Sequence, residues 1–266
     1  MSKQWRLQTS SRDPNPKATV RCATAAPPGS PYAFIVGGEH ELFGVRRDDG
    51  EQSSFIKSAS SGLDEPDFAV EFLTESPSVL LTGKRSGRIN VLDLRIPLCR
   101  SGVEGIEHVS SVARIKQVAE HAVVVAGLEN TLCVYDLRYR KHTADVHMLP
   151  SAPARASRGK KSPARQYTFP VVTMTQHRNE IRHDADVAVD RQAGLVAAAQ
   201  VEGESNPVRI FSVRTGEVVG TLDPTYTGST EDRGYVRQLR FVEDRGKGLP
   251  KSLWVAKGAK IVEYAW

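Results

Sequence analysis

The chain has 266 residues, enough for one large all-β domain. Its 39% hydrophobic and 25% charged residues are a globular composition. No run of eighteen apolar residues marks a membrane-spanning helix, and the first ten residues lack the apolar core of a secretory signal. The net charge of +5 and pI near 9.1 would suit a nucleic-acid binder. However, Arg155, Arg158, Lys160, Lys161 and Arg165 share one stretch without an acidic residue. Without those five the formal charge of +5 falls to zero, so nucleic acid is not expected at the folded part. Cys22, Cys99 and Cys133 are odd in number and at no metal-like spacing, which reads as free thiols in a reducing compartment.

Residues 1–16 are polar, with Pro14 and Pro16, and read as a flexible N-terminal tail. The alternative is that Trp5-Arg-Leu7 supplies an outer strand. From residue 17 to residue 266 the chain reads as one domain of short strands in groups. The first group has Thr19–Ala23, then the turn cluster Pro27–Pro31, Tyr32–Val36 and Leu42–Arg46, with Phe55-Ile56 as a weak outer strand. The second has Phe68–Phe72, Val79–Thr82 and the alternating Ile89-Asn-Val-Leu-Asp-Leu94. The third repeats it as Ser111–Ile115, Ala122–Gly127 and Leu132–Leu137. Ala122-Val-Val-Val-Ala126 is the most apolar run of the chain, as an inner strand covered on both faces should be.

Here a repeat becomes visible. Ser86-Gly-Arg-Ile-Asn-Val-Leu-Asp-Leu-Arg95 recurs in degraded form as Glu129-Asn-Thr-Leu-Cys-Val-Tyr-Asp-Leu-Arg138, with Asp93 and Asp136 separated by 43 positions. Repeats of about 40–45 residues holding several short strands mark the blades of a WD40 β-propeller.

Residues 149–166 carry Pro, Ser, Ala and the five basic residues and cannot bury a face. They read as a disordered basic insertion between blades three and four. Arg158-Gly-Lys-Lys161 within it is either a nuclear-localisation or nucleic-acid patch or a solvated linker. Blade four is expected at Phe169–Met174, Asp186–Val189, Leu195–Ala199 and Val208–Arg214, with Ser212 in the Asp position and Glu217–Leu222 outermost. Blade five is expected at Val236–Phe241, Ser252–Ala256 and Ile261–Trp266, without an outer strand. The count is five blades. A seven-bladed ring needs roughly 280–315 residues, so the ring is either a short one or two N-terminal blades are missing. Missing blades would leave apolar faces of the first and last blades uncovered.

Catalytic patterns do not emerge, and neither an enzyme nor a cofactor or metal is expected. His177 and His183 near Asp184 lack metal-ligand spacing. Gly83-Lys-Arg-Ser-Gly87 lacks the phosphate-loop form. The Asp-Leu-Arg copies carry more content. Arg95 and Arg138 leave equivalent strands on one rim, so two guanidinium forks there could meet a partner's acceptors. Alternatively, each pairs with the Asp of its own blade.

Ser86–Arg95 and Val134–Arg138 resemble the tandem Asp-x-Arg box of WD40 substrate receptors. These serve ubiquitin ligases built on cullin-four and its damaged-DNA-binding-protein adaptor. Residues 66–266 are similar to the adaptor-and-cullin-four-associated factors, the fourth group of that series in particular, through Gln176-His-Arg-Asn-Glu180, Leu195-Val-Ala-Ala198, Arg209–Val213 and Gly220-Thr-Leu222. Leu92 and Tyr135 stand where the box has Trp, and the N-terminal half is shorter than in that group. The resemblance implies a non-catalytic scaffold in the nucleus or cytoplasm. In it Asp93, Arg95, Asp136 and Arg138 contact the adaptor. The rival expectation is a WD40 scaffold for RNA-processing or chromatin complexes.

Overall fold

The computed structural model describes residues 20–38, 42–47, 53–56, 65–95, 105–139, 143–144, 167–202, 206–224, 235–243, 251–258 and 260–265. Blade one contains β1 (Cys22–Ala25), β2 (Tyr32–Gly37), β3 (Leu42–Arg46) and β4 (Ser53–Ile56). Blade two contains β5 (Asp67–Leu73), β6 (Ser76–Lys84), β7 (Arg88–Asp93) and β8 (Gly105–Glu107). Blade three opens with β9 (Val112–Ala119), β10 (Ala122–Gly127) and β11 (Leu132–Asp136). A hairpin of β12 (Thr143–Ala144) and β13 (Tyr167–Thr168) follows, and β14 (Val172–Thr173) completes the blade against β11. Blade four contains β15 (Val187–Asp190), β16 (Leu195–Ala199), β17 (Val208–Ser212) and β18 (Val218–Leu222). Blade five has β19 (Val236–Val242), β20 (Ser252–Lys257) and β21 (Lys260–Ala265). Every pairing is antiparallel, and the described residues contain no helix. The fold is therefore all-β: five blades in a ring, a β-propeller. Its five first strands line a central channel of about 650 Å³.

The period-2 alternation of each strand explains how blades stack. In β10, Val123 and Val125 pack toward blade two with Leu81, Ile89 and Ile106. Their neighbours Val124 and Ala126 pack toward blade four with Val187, Val196 and Phe211. In β16, Val196 and Ala198 face blade three while Ala197 and Ala199 face blade five with Leu239, Leu253 and Val255. Ile35 and Leu42 of blade one meet Val70, Phe72 and Leu80 of blade two. Each fully buried Leu, Ile or Phe contributes about 1.5–3 kcal/mol, so these four seams carry the fold.

Polar links cross the same seams beside the channel. Lys116 Nζ lies 3.0 Å from Glu71 Oε2, joining blades two and three. Asp186 holds three blades: its Oδ1 accepts from Arg114 Nε of blade three at 3.1 Å and its Oδ2 from Leu239 N of blade five at 3.0 Å. The seam between blades five and one differs. Among the described residues no buried apolar cluster spans it, and Trp254 and Ile261, on the face of blade five away from blade four, are 41% and 68% exposed.

Three expectations need correction. Val172–Thr173 belongs to blade three rather than blade four, because β14 pairs with β11. The apolar run Ala122–Gly127 is a second strand; the strands around the channel are the first of each blade. Strand β8 was not foreseen, and β1 begins at Cys22. Residues 1–16, the stretch 149–166 with Arg155, Arg158, Lys160, Lys161 and Arg165, and Cys99 lie outside the described residues.

Candidate protein-interaction site

Strands β7 and β11 are the third strands of adjacent blades and run toward the same rim. Asp93 sits opposite Val79 and Asp136 opposite Ala122, the same ladder position in each blade. After each Asp the chain turns through Leu to Arg, and the two turns are near copies. The Arg95 backbone N–H donates to Asp93 Oδ1 at 3.0 Å, Nε to Oδ1 at 2.9 Å and Nη2 to Oδ2 at 2.6 Å. For Arg138 and Asp136 the three distances are 2.9, 3.0 and 2.6 Å. The expectation that each Arg pairs with its own blade's Asp is thus met.

That pairing does not withdraw the guanidiniums from solvent. Arg95 and Arg138 side chains are 71% and 62% exposed. The fork uses two of five N–H donors and fixes the plane of the rest, so a partner meets a preorganised donor array. The Arg hydrogen bonds hold the Asp93 and Asp136 carboxyls below their ordinary range and raise Arg95 and Arg138. In blade four Ser212 has no carboxylate, and its hydroxyl accepts the Thr215 N–H at 3.4 Å instead. The fork motif thus recurs in blades two and three but not in blade four.

Apolar surface lies beside the second fork. Arg138 Cζ is 5.7 Å from the Tyr139 ring centroid, and Tyr139 is 56% exposed. Just before β14, which is antiparallel to β11, the Val171 N–H donates to Val134 O at 2.8 Å. Phe169 and Val171 precede β14 on the side of the Asp136 end and are 55% and 63% exposed. Thr168 Oγ1 accepts from Glu107 N at 3.0 Å, pinning β13 against β8 at the outer edge of blades two and three.

Sequence reasoning missed one buried polar network. His108, between β8 and β9, places Nδ1 2.8 Å from Tyr135 Oη and Nε2 3.0 Å from Thr131 Oγ1. The Thr131 hydroxyl gives its one proton to Leu128 O at 2.7 Å, so it accepts from Nε2–H and from Ser110. His108 is thereby assigned as the neutral Nε2–H tautomer, with Tyr135 donating to Nδ1. Burial pushes its pKa down to about 3. Gly127 leaves the room this needs: a Cβ there would lie 2.6 Å from His108 Nε2. His177, the corresponding histidine ahead of β15, is also buried, and burial with Arg209 and Arg178 lowers it to about 3. His108 is thus a structural histidine, held by Tyr135 and Thr131. His183 stacks on Phe68 with ring centroids 4.2 Å apart. Among the described residues no group of His, Cys, Asp or Glu could hold a metal. Lys84 of the Gly83–Gly87 turn is tied to Asp67 at 3.3 Å. No described helix is long and apolar enough to cross a membrane.

No protein-family model matches the chain, and no curated protein matches it. Among solved structures it is similar to the β-propeller domain of Cps50 (Swd1) from Myceliophteria thermophila, at 14% identity and a TM-score of 0.61. The match covers 94% of this chain and 71% of that one. At that identity the likeness speaks for the propeller fold alone.

Proposed function

We propose that this propeller is a non-catalytic scaffold that serves as a substrate receptor of a cullin-four type ubiquitin ligase. Its rim of twin forks docks the damaged-DNA-binding-protein adaptor. The observation that carries this is the pair Asp93–Arg95 and Asp136–Arg138, which present two like guanidiniums from adjacent blades on one rim. Exposed Tyr139, Phe169 and Val171 beside Arg138 add the apolar contact a stable interface needs at its centre. A nuclear or cytoplasmic location goes with this role. Affinity purification tests it: the adaptor co-purifies with the native chain and is lost from the Arg95→Ala, Arg138→Ala double variant.

A second reading, a scaffold in RNA-processing or chromatin complexes, is favoured by the basic run Arg155, Arg158, Lys160, Lys161 and Arg165 in the sequence. RNA-dependent partners in the same purification would select it.

A further inference from the structure

The first strands of the five blades all start at the rim opposite the forks, and their starting residues ring one mouth of the central channel. That mouth is rich in arginine. Arg21, Arg114 and Arg237 line the channel, Arg85 occupies the turn before β7, and Arg182 stands over the Tyr235 ring at 3.4 Å. The carboxylates there are fewer. Asp67 is engaged by Lys84 at 3.3 Å and Asp186 by Arg114 at 3.1 Å, which leaves Asp184 between Arg182 and Arg237 at 3.4 and 4.0 Å. Glu65 adds one more carboxylate, its Oε2 accepting from Ser86 N at 3.2 Å beside Arg85; among the described residues the mouth still carries more cations than anions.

Flat apolar walls accompany the charge. Phe68 and His183 stack with an interplanar angle of 12°, and Arg21 Cζ lies 5.5 Å from the Phe68 centroid. Arg85, Arg114 and Arg21 help to depress the His183 pKa, as a positive local potential requires. Arg114 is locked by Asp186 and by the carbonyls of Ala113 and His183, the latter two at 2.8 Å, so it is held in place before any ligand arrives. Arg85 and Arg237 are exposed.

We propose that this mouth binds an acidic, extended segment of a protein partner, whose carboxylates meet the arginine ring and whose chain enters the channel. The channel volume of about 650 Å³ falls within the range of ligand sites. Charge complementarity selects an anion. Asp184 and Asp186 interrupt the ring of cations, which suits carboxylates spaced along a peptide better than a continuous phosphate backbone. The site is on the rim away from the forks and stands independently of the ligase reading.

The test is fluorescence anisotropy of a labelled oligoglutamate peptide on the full chain, with oligolysine and single-stranded RNA as parallel probes. The Arg85→Glu, Arg237→Glu variant is expected to weaken oligoglutamate binding at least about tenfold, while Arg95→Glu, Arg138→Glu on the other rim leaves it unchanged. If circular dichroism shows the charge-reversal pair unfolded, Arg85→Gln, Arg237→Gln replaces it with the same expectation. Binding that neither mouth variant alters, equal loss from the fork-rim variant, or tighter binding of RNA than of oligoglutamate would each overturn the proposal.

Discussion

The phenol of Tyr135 donates to Nδ1 of His108 across 2.8 Å, joining the third strand of blade three to the segment that carries the chain in from blade two. Both side chains are fully buried. The Tyr135 ring fills the seam while its hydroxyl finds a buried acceptor, a bond that an aromatic without a polar tip would not supply. Tyr135→Phe keeps the packing but leaves the Nδ1 lone pair without a donor. The expected loss is about 1–3 kcal/mol of unfolding free energy, read by urea denaturation at pH 7, with the fold retained.

The two buried histidines make stability fall in mild acid. Their folded pKa values of about 3 lie below the unfolded value of 6.5. As pH falls, the unfolded chain takes up protons that the folded chain refuses. Stability is complete above pH 6.5 and is lost from there toward pH 3. Well inside that window each histidine costs about 1.4 kcal/mol per pH unit. His108→Gln should make the slope of stability against pH between about 6 and 4.5 shallower by about 1.4 kcal/mol per pH unit. An unchanged slope would show that His108 takes up a proton in the folded state.

Asp186 joins blades three, four and five through Arg114 Nε and Leu239 N. Asp186→Ala leaves the half-buried Arg114 guanidinium without its carboxylate and Leu239 N without an acceptor. A loss of about 2–4 kcal/mol is expected, with hydrogen exchange rising first at the start of β19.

Gly87 turns the chain between β6 and β7 at φ +94°, the left-handed region. A Cβ there would strike the His108 carbonyl and come within 2.7 Å of Ser110 O. Gly87→Ala is expected to cost about 2–3 kcal/mol, with the loss seen in thermal denaturation, because strain and steric clash both displace the segment that carries His108.

Much of the propeller was legible from periodicity. The alternation of Ile89–Asp93 and the unbroken apolar run of Ala122–Ala126 both report burial, and the 43-residue spacing of Asp93 and Asp136 reports the repeat. What could not be read was pairing. Residues 140–166 part β11 from β14, and nothing in Val172-Thr173 says which third strand it joins. Strand β8, at three residues, is too short for a period. His108 was overlooked because its partners, Tyr135, Thr131 and Ser110, converge only through the fold. The forks were legible as a motif, since Asp and Arg two residues apart can close locally. The arginine-rich mouth was not, because its members come from five blades.

The central claim is that the two guanidiniums on one rim recruit the ligase adaptor. The most direct measurement is titration of the purified adaptor against the native chain and the Arg95→Ala, Arg138→Ala variant. Both side chains are exposed, so the variant should melt within about 2 °C of the native chain. The account predicts saturable adaptor binding by the native chain and at least about a hundredfold weakening in the double variant, with each single variant in between. No adaptor binding by the native chain, or equal affinity in the double variant, would contradict it.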